Sequence, residues 1–229
     1  MKKTHIDTTQ ASVIEFPLRG EWSALNTPDE RIPSHGTDYF GQRYAFDFVQ
    51  LSSPSKKPYR ASFWQHLLGL TKATDCYAWD QVVVACFDGE VIEVGDGWAD
   101  REQLSFVWDV LRAKFFAEDA KISDYRPLLG NYILLKNAIG VALYAHLRCQ
   151  SIRVQKGQKV KVGEPLGNVG NSGNSVMPHL HFHLMDCEDP FQAEGVLCAF
   201  REYEIFQQGR WEKINNGIPK LLESIRYGG

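Results

Sequence analysis

The sequence lacks the features that mark membrane-spanning and nucleic-acid-binding proteins. No hydrophobic run approaches the roughly 20 apolar residues that a membrane-spanning helix needs, and no apolar stretch of signal-peptide length follows Lys2 and Lys3. Lys and Arg number 25 against 28 Asp and Glu, a formal net charge of −3 that provides neither a basic surface nor an acidic tail. We therefore expect no transmembrane segment and no nucleic-acid partner. The sequence indicates neither a compartment nor an oligomeric state.

Cysteine pairs of zinc-ribbon or thioredoxin spacing are also missing. The five cysteines are an odd number without a C-x-x-C motif, so we expect free, mostly buried thiols. The chain has no internal repeat of solenoid period and no low-complexity segment. Its 229 residues, 44% of them hydrophobic and 23% charged, are enough for one sizeable globular domain with a real core.

Short β-rich segments separated by turn residues predict a mainly β protein. We expect an edge strand at 13–18 followed by a loop up to Pro33, and a strand at 44–49. Asp88-Gly89 predicts a β-hairpin that joins strands at 82–86 and 90–94, because this pair favours the positive φ of tight turns. Further strands are predicted at 132–136 and 141–147, as a second hairpin, and in a glycine-rich meander at 151–169.

Helical patterns are few. Leu104, Val107, Trp108, Leu111 and Phe115 fall on one face of a helix and predict an amphipathic helix at 101–118. We also expect a short helix within 59–71 and another at 218–225.

Three of the seven histidines alternate with large apolar residues in the segment 178–186. Successive side chains of a strand point to opposite faces, so His179, His181 and His183 would share a solvent-accessible face opposite a core face. Imidazole is the commonest metal ligand and exchanges protons near neutral pH. The loop at 168–175 leads directly into this strand and offers polar groups to a ligand, among them Asn174 and Ser175. We therefore predict a functional site, with Asn174, Ser175 and His183 as candidate substrate contacts.

Asp47 stands between aromatic and β-branched residues of its predicted strand. A carboxylate is costly to bury there unless it is paired or bound to a metal. An aspartate that accepts backbone hydrogen bonds at a strand end is the alternative. His146, near the end of its own predicted strand, is either a site residue or a histidine satisfied at the rim of the core. The residues alone leave both questions open.

Several motifs together resemble one family. Gly167 to Ser175, followed by Pro178-His179-Leu180-His181-Phe182, resembles the C-terminal signature of the M23 zinc metallopeptidases, the LytM- or lysostaphin-like peptidoglycan endopeptidases. The segment 144–147 resembles the family's Y-x-H-L strand, 152–167 its glycine-rich meander and 88–91 its D-G-x-V hairpin. The resemblance extends over roughly residues 35 to 185, with the motifs in the family's order.

The resemblance implies a mainly β fold: an antiparallel β-sheet or sandwich of the LytM (duplicated hybrid motif-like) type, with one or two inserted helices. We expect residues 1–33 to form an N-terminal strand and loop. Residues 34–190 would form the M23-like metallopeptidase domain, with a helical insertion at about 101–122. Residues 191–229 would be a C-terminal extension that packs on the same domain.

The resemblance also implies a site with zinc as cofactor. Asp47 and His181 match zinc ligands, and His146 and His179 match the two catalytic histidines that do not bind the metal. His183 stands where many members carry glutamate. Three protein ligands leave one position of a tetrahedral zinc open to water, as in catalytic sites. His179 would exchange a proton with that water, and His146 would hydrogen-bond the tetrahedral oxyanion.

One ligand position departs from the family pattern. Most members carry a histidine four residues before the aspartate, where this chain has Arg43, whose guanidinium stays protonated and cannot bind zinc. His35 is the nearest histidine upstream, in a polar loop, and we expect this loop to return its imidazole to the metal. The predicted ligands are then His35, Asp47 and His181. In the alternative, Asp38 instead of Asp47 provides the carboxylate ligand beside His35, although Asp38 lies in a loop.

The resemblance therefore implies a zinc-dependent endopeptidase that cuts peptide bonds in peptidoglycan crosslinks, in a family that usually acts outside the cytoplasm. A degenerate M23-like domain that has lost zinc and serves as a binding or regulatory module is the alternative, motivated by Arg43. A biotinyl- or lipoyl-type carrier module is a third. It would leave the histidine strand unexplained and lacks a lysine at an exposed hairpin tip.

Overall fold

The computed structural model describes residues 8–52, 56–67, 69–105 and 124–228. Strands predominate in these ranges, which confirms the mainly β fold. The strands are β1 (Ser12–Ile14), β2 (Gly20–Asn26), β3 (Phe46–Val49), β4 (Thr71–Lys72), β5 (Val82–Val84), β6 (Gly89–Gly95), β7 (Gln103–Leu104), β8 (Asn131–Lys136), β9 (Val141–Leu147), β10 (Lys159–Val160), β11 (Pro165–Asn168), β12 (Leu180–Met185), β13 (Gly195–Val196), β14 (Cys198–Gln207), β15 (Arg210–Gly217) and β16 (Ile225–Tyr227). The helical segments are α1 (Phe63–Leu67), α2 (Arg126–Leu129) and the 3₁₀ segments Thr8–Gln10, Tyr39–Tyr44 and Ala73–Asp75.

Twelve of these strands form one sheet. Its order is β1-β14-β16-β2-β3-β12-β9-β8-β6-β10, with β13 paired to β12 and β15 to β14. The pairing of β1 with β14 is parallel, and the other strand pairs are antiparallel. Strands β5 and β11, and strands β4 and β7, form two small separate sheets. Strands β3, β12 and β9 are neighbours in the middle of the large sheet, and they carry the chemically interesting side chains.

The main hydrophobic core lies against one face of β3 and β12. Phe46 and Phe48 of β3 are fully buried there, stacked with ring centroids 5.4 Å apart. Phe182 of β12 belongs to the same cluster. Because side chains alternate along a strand, burying these rings directs Asp47 and His181 to the opposite face. The core therefore fixes both the register of the two strands and the face on which their polar side chains lie.

The opposite face is covered rather than solvent-accessible. A second apolar cluster that includes Leu134, Leu143 and Met185 lies on it, and the 3₁₀ segment Tyr39–Tyr44 packs against β12. The three histidines are consequently buried: His179 is 7% exposed, His181 6% and His183 1%. The expectation of a solvent-accessible face on this strand was wrong, because the loop before β3 folds back over it.

Two strand predictions were wrong in their partners or extent. The stretch after β1 was expected to be a loop, but Gly20–Asn26 forms β2, a central strand between β16 and β3. Strands β5 and β6 do not form the expected hairpin, since β5 pairs with β11 while β6 pairs with β8 and β10. The predicted hairpin of β8 and β9 is confirmed, as is the strand that contains Asp47.

The helix predictions had mixed outcomes. Helix α1 lies within the predicted range 59–71. Most of the helix predicted at 101–118 lies outside the described residues, and the described part contains β7 instead. The helix predicted at 218–225 is absent, because the described chain there is irregular and ends in β16.

The terminal segments share the large sheet with the centre of the chain. Strands β1 and β2 precede residue 34, strands β14 to β16 follow residue 190, and all of them belong to the twelve-stranded sheet. The domain boundaries given above stay a prediction. All five cysteines are free thiols, with Cys76, Cys86 and Cys198 buried, which confirms that expectation. Within the described ranges, no helix is both long and apolar enough to span a membrane.

Candidate metal centre and flanking histidines

Asp47 and His181 face each other across the central strands β3 and β12. The antiparallel register pairs them directly, and His181 Nδ1 lies 2.9 Å from Asp47 Oδ1. Burial acts to raise the pKa of Asp47, but the nearby His35 and His179 outweigh it and hold that pKa well below its usual range. Asp47 is therefore an ionised carboxylate in a site that is largely closed to water.

The loop at residues 34–43 brings His35 to the other oxygen of Asp47. His35 Nε2 lies 2.9 Å from Asp47 Oδ2, and Ser34 Oγ lies 3.1 Å from His35 Nδ1. The loop is closed by a 2.9 Å hydrogen bond from the Ser34 N–H to the Arg43 carbonyl oxygen. The loop therefore folds back, and the side chains of His35, Asp47 and His181 converge.

Gly41 allows this loop to pass close to β12. Its φ is 67°, and an added Cβ would lie 2.7 Å from Met185 Cγ. Phe40, immediately before it, has a φ of 59° although it is not a glycine. Two successive residues in the left-handed region therefore make a tight turn directly above the histidine strand.

The converging side chains fit a zinc ion. One ligand atom from each of His35, Asp47 and His181 lies within 4.8 Å of the other two. Ligand atoms around a tetrahedral zinc lie about 3.3 Å from one another, given bonds of about 2.0–2.2 Å. The two contacts of 2.9 Å, from His35 to Oδ2 and from His181 to Oδ1 of Asp47, are slightly shorter than that spacing. Two imidazoles and one carboxylate are also a donor set of known catalytic zinc sites.

Arg43 and Asp38 bind each other at the loop surface. Arg43 Nη1 donates to Asp38 Oδ1 over 2.7 Å, and the two side chains are 42% and 60% exposed. Arg43 therefore does not place its charge among the three converging ligands. Asp38, the alternative carboxylate, is engaged with Arg43, so the geometry favours Asp47.

Asn26 is a site residue that the sequence analysis missed. Its Nδ2 donates a 2.6 Å hydrogen bond to Asp47 Oδ2. An irregularity in the β2–β3 register between Ala24 and Asn26 sets Asn26 opposite Asp47. The alternation of Trp22 and Ala24 with polar neighbours was a signal for the strand, but the irregularity has no signal in the local sequence.

His146 lies at the end of β9 with a φ of 60°, in the left-handed region. Its Nδ1 lies 2.9 Å from the carbonyl oxygen of Ser172, so the proton sits on Nδ1 and the Nε2 lone pair is left bare. Burial, reinforced by His179 and His181, lowers the pKa of His146 well below its usual range. The ring centroids of His146 and His179 are 4.7 Å apart, so the two candidate catalytic histidines are adjacent.

The ring of His179, like that of His146, is oriented by a backbone carbonyl oxygen next to its Nδ1. Its Nδ1 lies 2.7 Å from the carbonyl oxygen of Met177 and 3.1 Å from Ser175 Oγ, while its Nε2 lies 3.4 Å from Asp47 Oδ1. Burial lowers the pKa of His179, but attraction to Asp47 exceeds that effect and the net shift is upward. The Nε2 atom is therefore directed toward the converging ligands.

The three predicted substrate contacts lie in different surroundings. Ser175 is 2% exposed, and its hydroxyl donates to the Met177 carbonyl oxygen over 2.7 Å, so it supports His179. Asn174 is half-buried, and its backbone N–H donates to the Leu128 carbonyl oxygen. His183 is buried with both ring nitrogens bonded inside the protein. Its prediction as a substrate contact does not fit this position.

Part of this chain is similar to a known family and to several known proteins. The family model described as peptidase family M23 matches residues 117–193. The cell division protein DipM of Caulobacter vibrioides is 44% identical over 68 residues, which are 29% of this chain and 11% of that protein. The peptidoglycan DD-endopeptidase ShyA of Vibrio cholerae is 37% identical over 59 residues, 26% of this chain and 14% of that protein. The matched region therefore spans a small part of these relatives.

Solved structures give a weak overall match. The catalytic domain of lysostaphin from Staphylococcus simulans has a TM-score of 0.36 and 17% identity, covering 82% of this chain and 90% of that chain. A zinc-containing peptidase from Vibrio cholerae has a TM-score of 0.35 and 20% identity, covering 79% of this chain and 37% of that chain.

Proposed function

We propose that the chain, which matches the model of peptidase family M23 over residues 117–193, is a zinc-dependent endopeptidase that hydrolyses peptide crosslinks of peptidoglycan. The observation that carries the proposal is the convergence of His35, Asp47 and His181 beside two oriented histidines. The substrate class is suggested by relatives that are named as peptidoglycan endopeptidases. Activity on peptidoglycan would place the protein where the cell wall lies, outside the cytoplasmic membrane.

His35, Asp47 and His181 would hold the zinc. Their donor atoms are His35 Nε2, an oxygen of Asp47 and His181 Nδ1. Bound there, zinc would polarise the scissile carbonyl and lower the pKa of a water in its open position to about 7. Asn26 and Ser34 would keep the carboxylate and the His35 ring in ligating orientations, since each contacts a ligand directly.

His179 is the proposed general base. The Met177 carbonyl holds its proton on Nδ1, so the Nε2 that points at the site can accept a proton and return it to the leaving amine. Because Ser175 donates its hydroxyl proton to the same carbonyl, its oxygen can accept from His179 Nδ1. The ring is thus fixed both in tautomer and in direction.

His146 is the proposed second catalytic histidine. In its tautomer the Nε2 accepts hydrogen bonds rather than donating them. The oxyanion contact predicted from the sequence therefore requires a second proton on this ring. As a neutral acceptor 4.7 Å from His179, His146 can also orient a water or a substrate amide N–H.

The alternative of a degenerate binding module has less support. It depended on Arg43, which cannot bind a metal. His35 lies at the candidate centre instead, and Arg43 is paired with Asp38. A module without catalysis would also have no need of two further oriented histidines at the same centre.

The proposal is tested by metal analysis combined with digestion of isolated peptidoglycan. Protein purified without added metal should contain about one equivalent of zinc, and chromatography with mass spectrometry should show loss of crosslinked muropeptides. Chelation should abolish the digestion, and zinc should restore it. A protein that neither carries zinc nor takes it up when supplied would refute the proposal.

A further inference from the structure

His183 lies directly behind His181 and is bonded on both sides. The two side chains share a face of β12, and His183 Nδ1 lies 3.1 Å from His181 Nε2. On the far side, His183 Nε2 lies 3.0 Å from the carbonyl oxygen of Phe40. At 1% exposure the ring is closed to solvent, and these are its two hydrogen-bond partners among the described residues.

The Phe40 carbonyl determines the direction of the proton in each bond. A carbonyl oxygen only accepts, so the proton of His183 is on Nε2. A neutral imidazole carries a single N–H, so His183 Nδ1 is an acceptor, and His181 must donate to it from Nε2. His181 is then left with a bare Nδ1, which points at Asp47 Oδ1 over 2.9 Å.

This arrangement places two acceptors against each other at the candidate centre. The lone pair of His181 Nδ1 and an oxygen of the ionised Asp47 repel each other unless a cation lies between them. Zinc binds both atoms in these forms. We propose that His183 is a positioning residue: through the chain Phe40–His183–His181 it fixes the tautomer in which His181 ligates zinc through Nδ1. The inference rests on the proposed function for the identity of the metal.

The same loop then serves two ligands. The turn at Phe40 and Gly41, which returns His35 to Asp47, also presents the carbonyl that sets the His181 tautomer. Groups that orient a ligating histidine through its second nitrogen typically change metal affinity by about 10- to 100-fold when removed. His183 should therefore contribute to metal affinity although it does not touch the metal.

Two substitutions separate hydrogen bonding from packing. His183→Phe fills the space but can neither accept from His181 nor donate to Phe40. His183→Gln offers a carbonyl oxygen to His181 and an amide N–H to Phe40. Leu184→Ala, in the same strand but in the main core, is the control for a loss of packing.

The experiment measures zinc affinity by chelator competition and the His183 tautomer by ¹⁵N NMR in zinc-free protein at neutral pH. We expect the Nε2–H tautomer of His183 in the wild type. Zinc affinity should fall about 10- to 100-fold in His183→Phe and change only a few-fold in His183→Gln and Leu184→Ala. Wild-type affinity in His183→Phe, equal losses in both His183 variants, or an Nδ1–H tautomer of His183 would overturn the inference.

The outcomes distinguish this inference from the proposed function. If the wild type binds no zinc, the proposed function fails, while the tautomer measurement still tests the hydrogen-bonded chain. If zinc binds but the tautomer is not fixed, only the role of His183 fails. Circular dichroism verifies folding, and if His183→Phe does not fold, the wild-type tautomer of His183 and the zinc affinity of His183→Gln decide the inference.

Discussion

Asn26 Nδ2 donates to Asp47 Oδ2 over 2.6 Å, and His35 Nε2 approaches the same oxygen to 2.9 Å. One carboxylate oxygen is therefore oriented by an amide from β2 and by a histidine from the loop that precedes β3. We predict that Asn26→Ala weakens zinc binding by about 10- to 100-fold, as expected when a partner of a ligating carboxylate is lost. Chelator competition measures it, with Ser23→Ala in the same strand as control. Equal affinities of the two variants would contradict the prediction.

The second prediction assigns the ligands. His35→Ala should abolish zinc retention, because it removes one of the three protein ligands. Asp38→Ala should keep its zinc, since Asp38 is 60% exposed and bound to Arg43. Atomic absorption on the two dialysed variants measures the difference. The reverse pattern would show that Asp38, rather than Asp47, supplies the carboxylate.

The position of Asp47 and His181 could be predicted from the sequence, whereas Asn26 could not. Period-two alternation of Phe46-Asp47-Phe48 and of Leu180-His181-Phe182 puts both polar side chains opposite the core, and the structure pairs them in register. Asn26 depends on a local irregularity in a strand that has no β-branched residue. Local sequence patterns contain no information on such a register shift.

Pairing between distant strands also limited what the sequence could predict. Asp88-Gly89 looked like a hairpin turn, but Asp88 accepts from the Val162 backbone N–H over 2.8 Å and pairs with Lys161. Asp88 therefore binds the segment at 161–162, in the glycine-rich meander, and does not close a turn between β5 and β6. The return of His35 was predicted because a third ligand was needed. The turn at Phe40 and the contacts of His183 are visible only in the three-dimensional structure.

The third prediction separates metal binding from proton transfer. His179→Ala should retain zinc but lose turnover by about 100- to 10,000-fold, the usual contribution of a general acid–base group. Ser175→Ala should retain zinc and lose less, because Ser175 orients His179 without carrying its proton. Zinc content and the rate of peptidoglycan digestion are measured for both. If His179→Ala sheds its zinc, the roles of His179 and His181 are exchanged.

The fourth prediction concerns the turn above the histidine strand. Gly41→Ala forces a side chain into the left-handed region and places its Cβ 2.7 Å from Met185 Cγ, whereas Gly36→Ala, at φ 75°, has nothing within 4 Å of the added carbon. Backbone strain alone should cost each variant about 1–3 kcal/mol in the free energy of unfolding. Gly41→Ala should lose more, and it should also bind zinc less tightly, because displacing the turn moves His35 and the Phe40 carbonyl together. Urea unfolding of zinc-free protein and chelator competition measure the two effects. If Gly36→Ala loses as much zinc affinity as Gly41→Ala, loop strain in general, rather than the contact with Met185, controls the site.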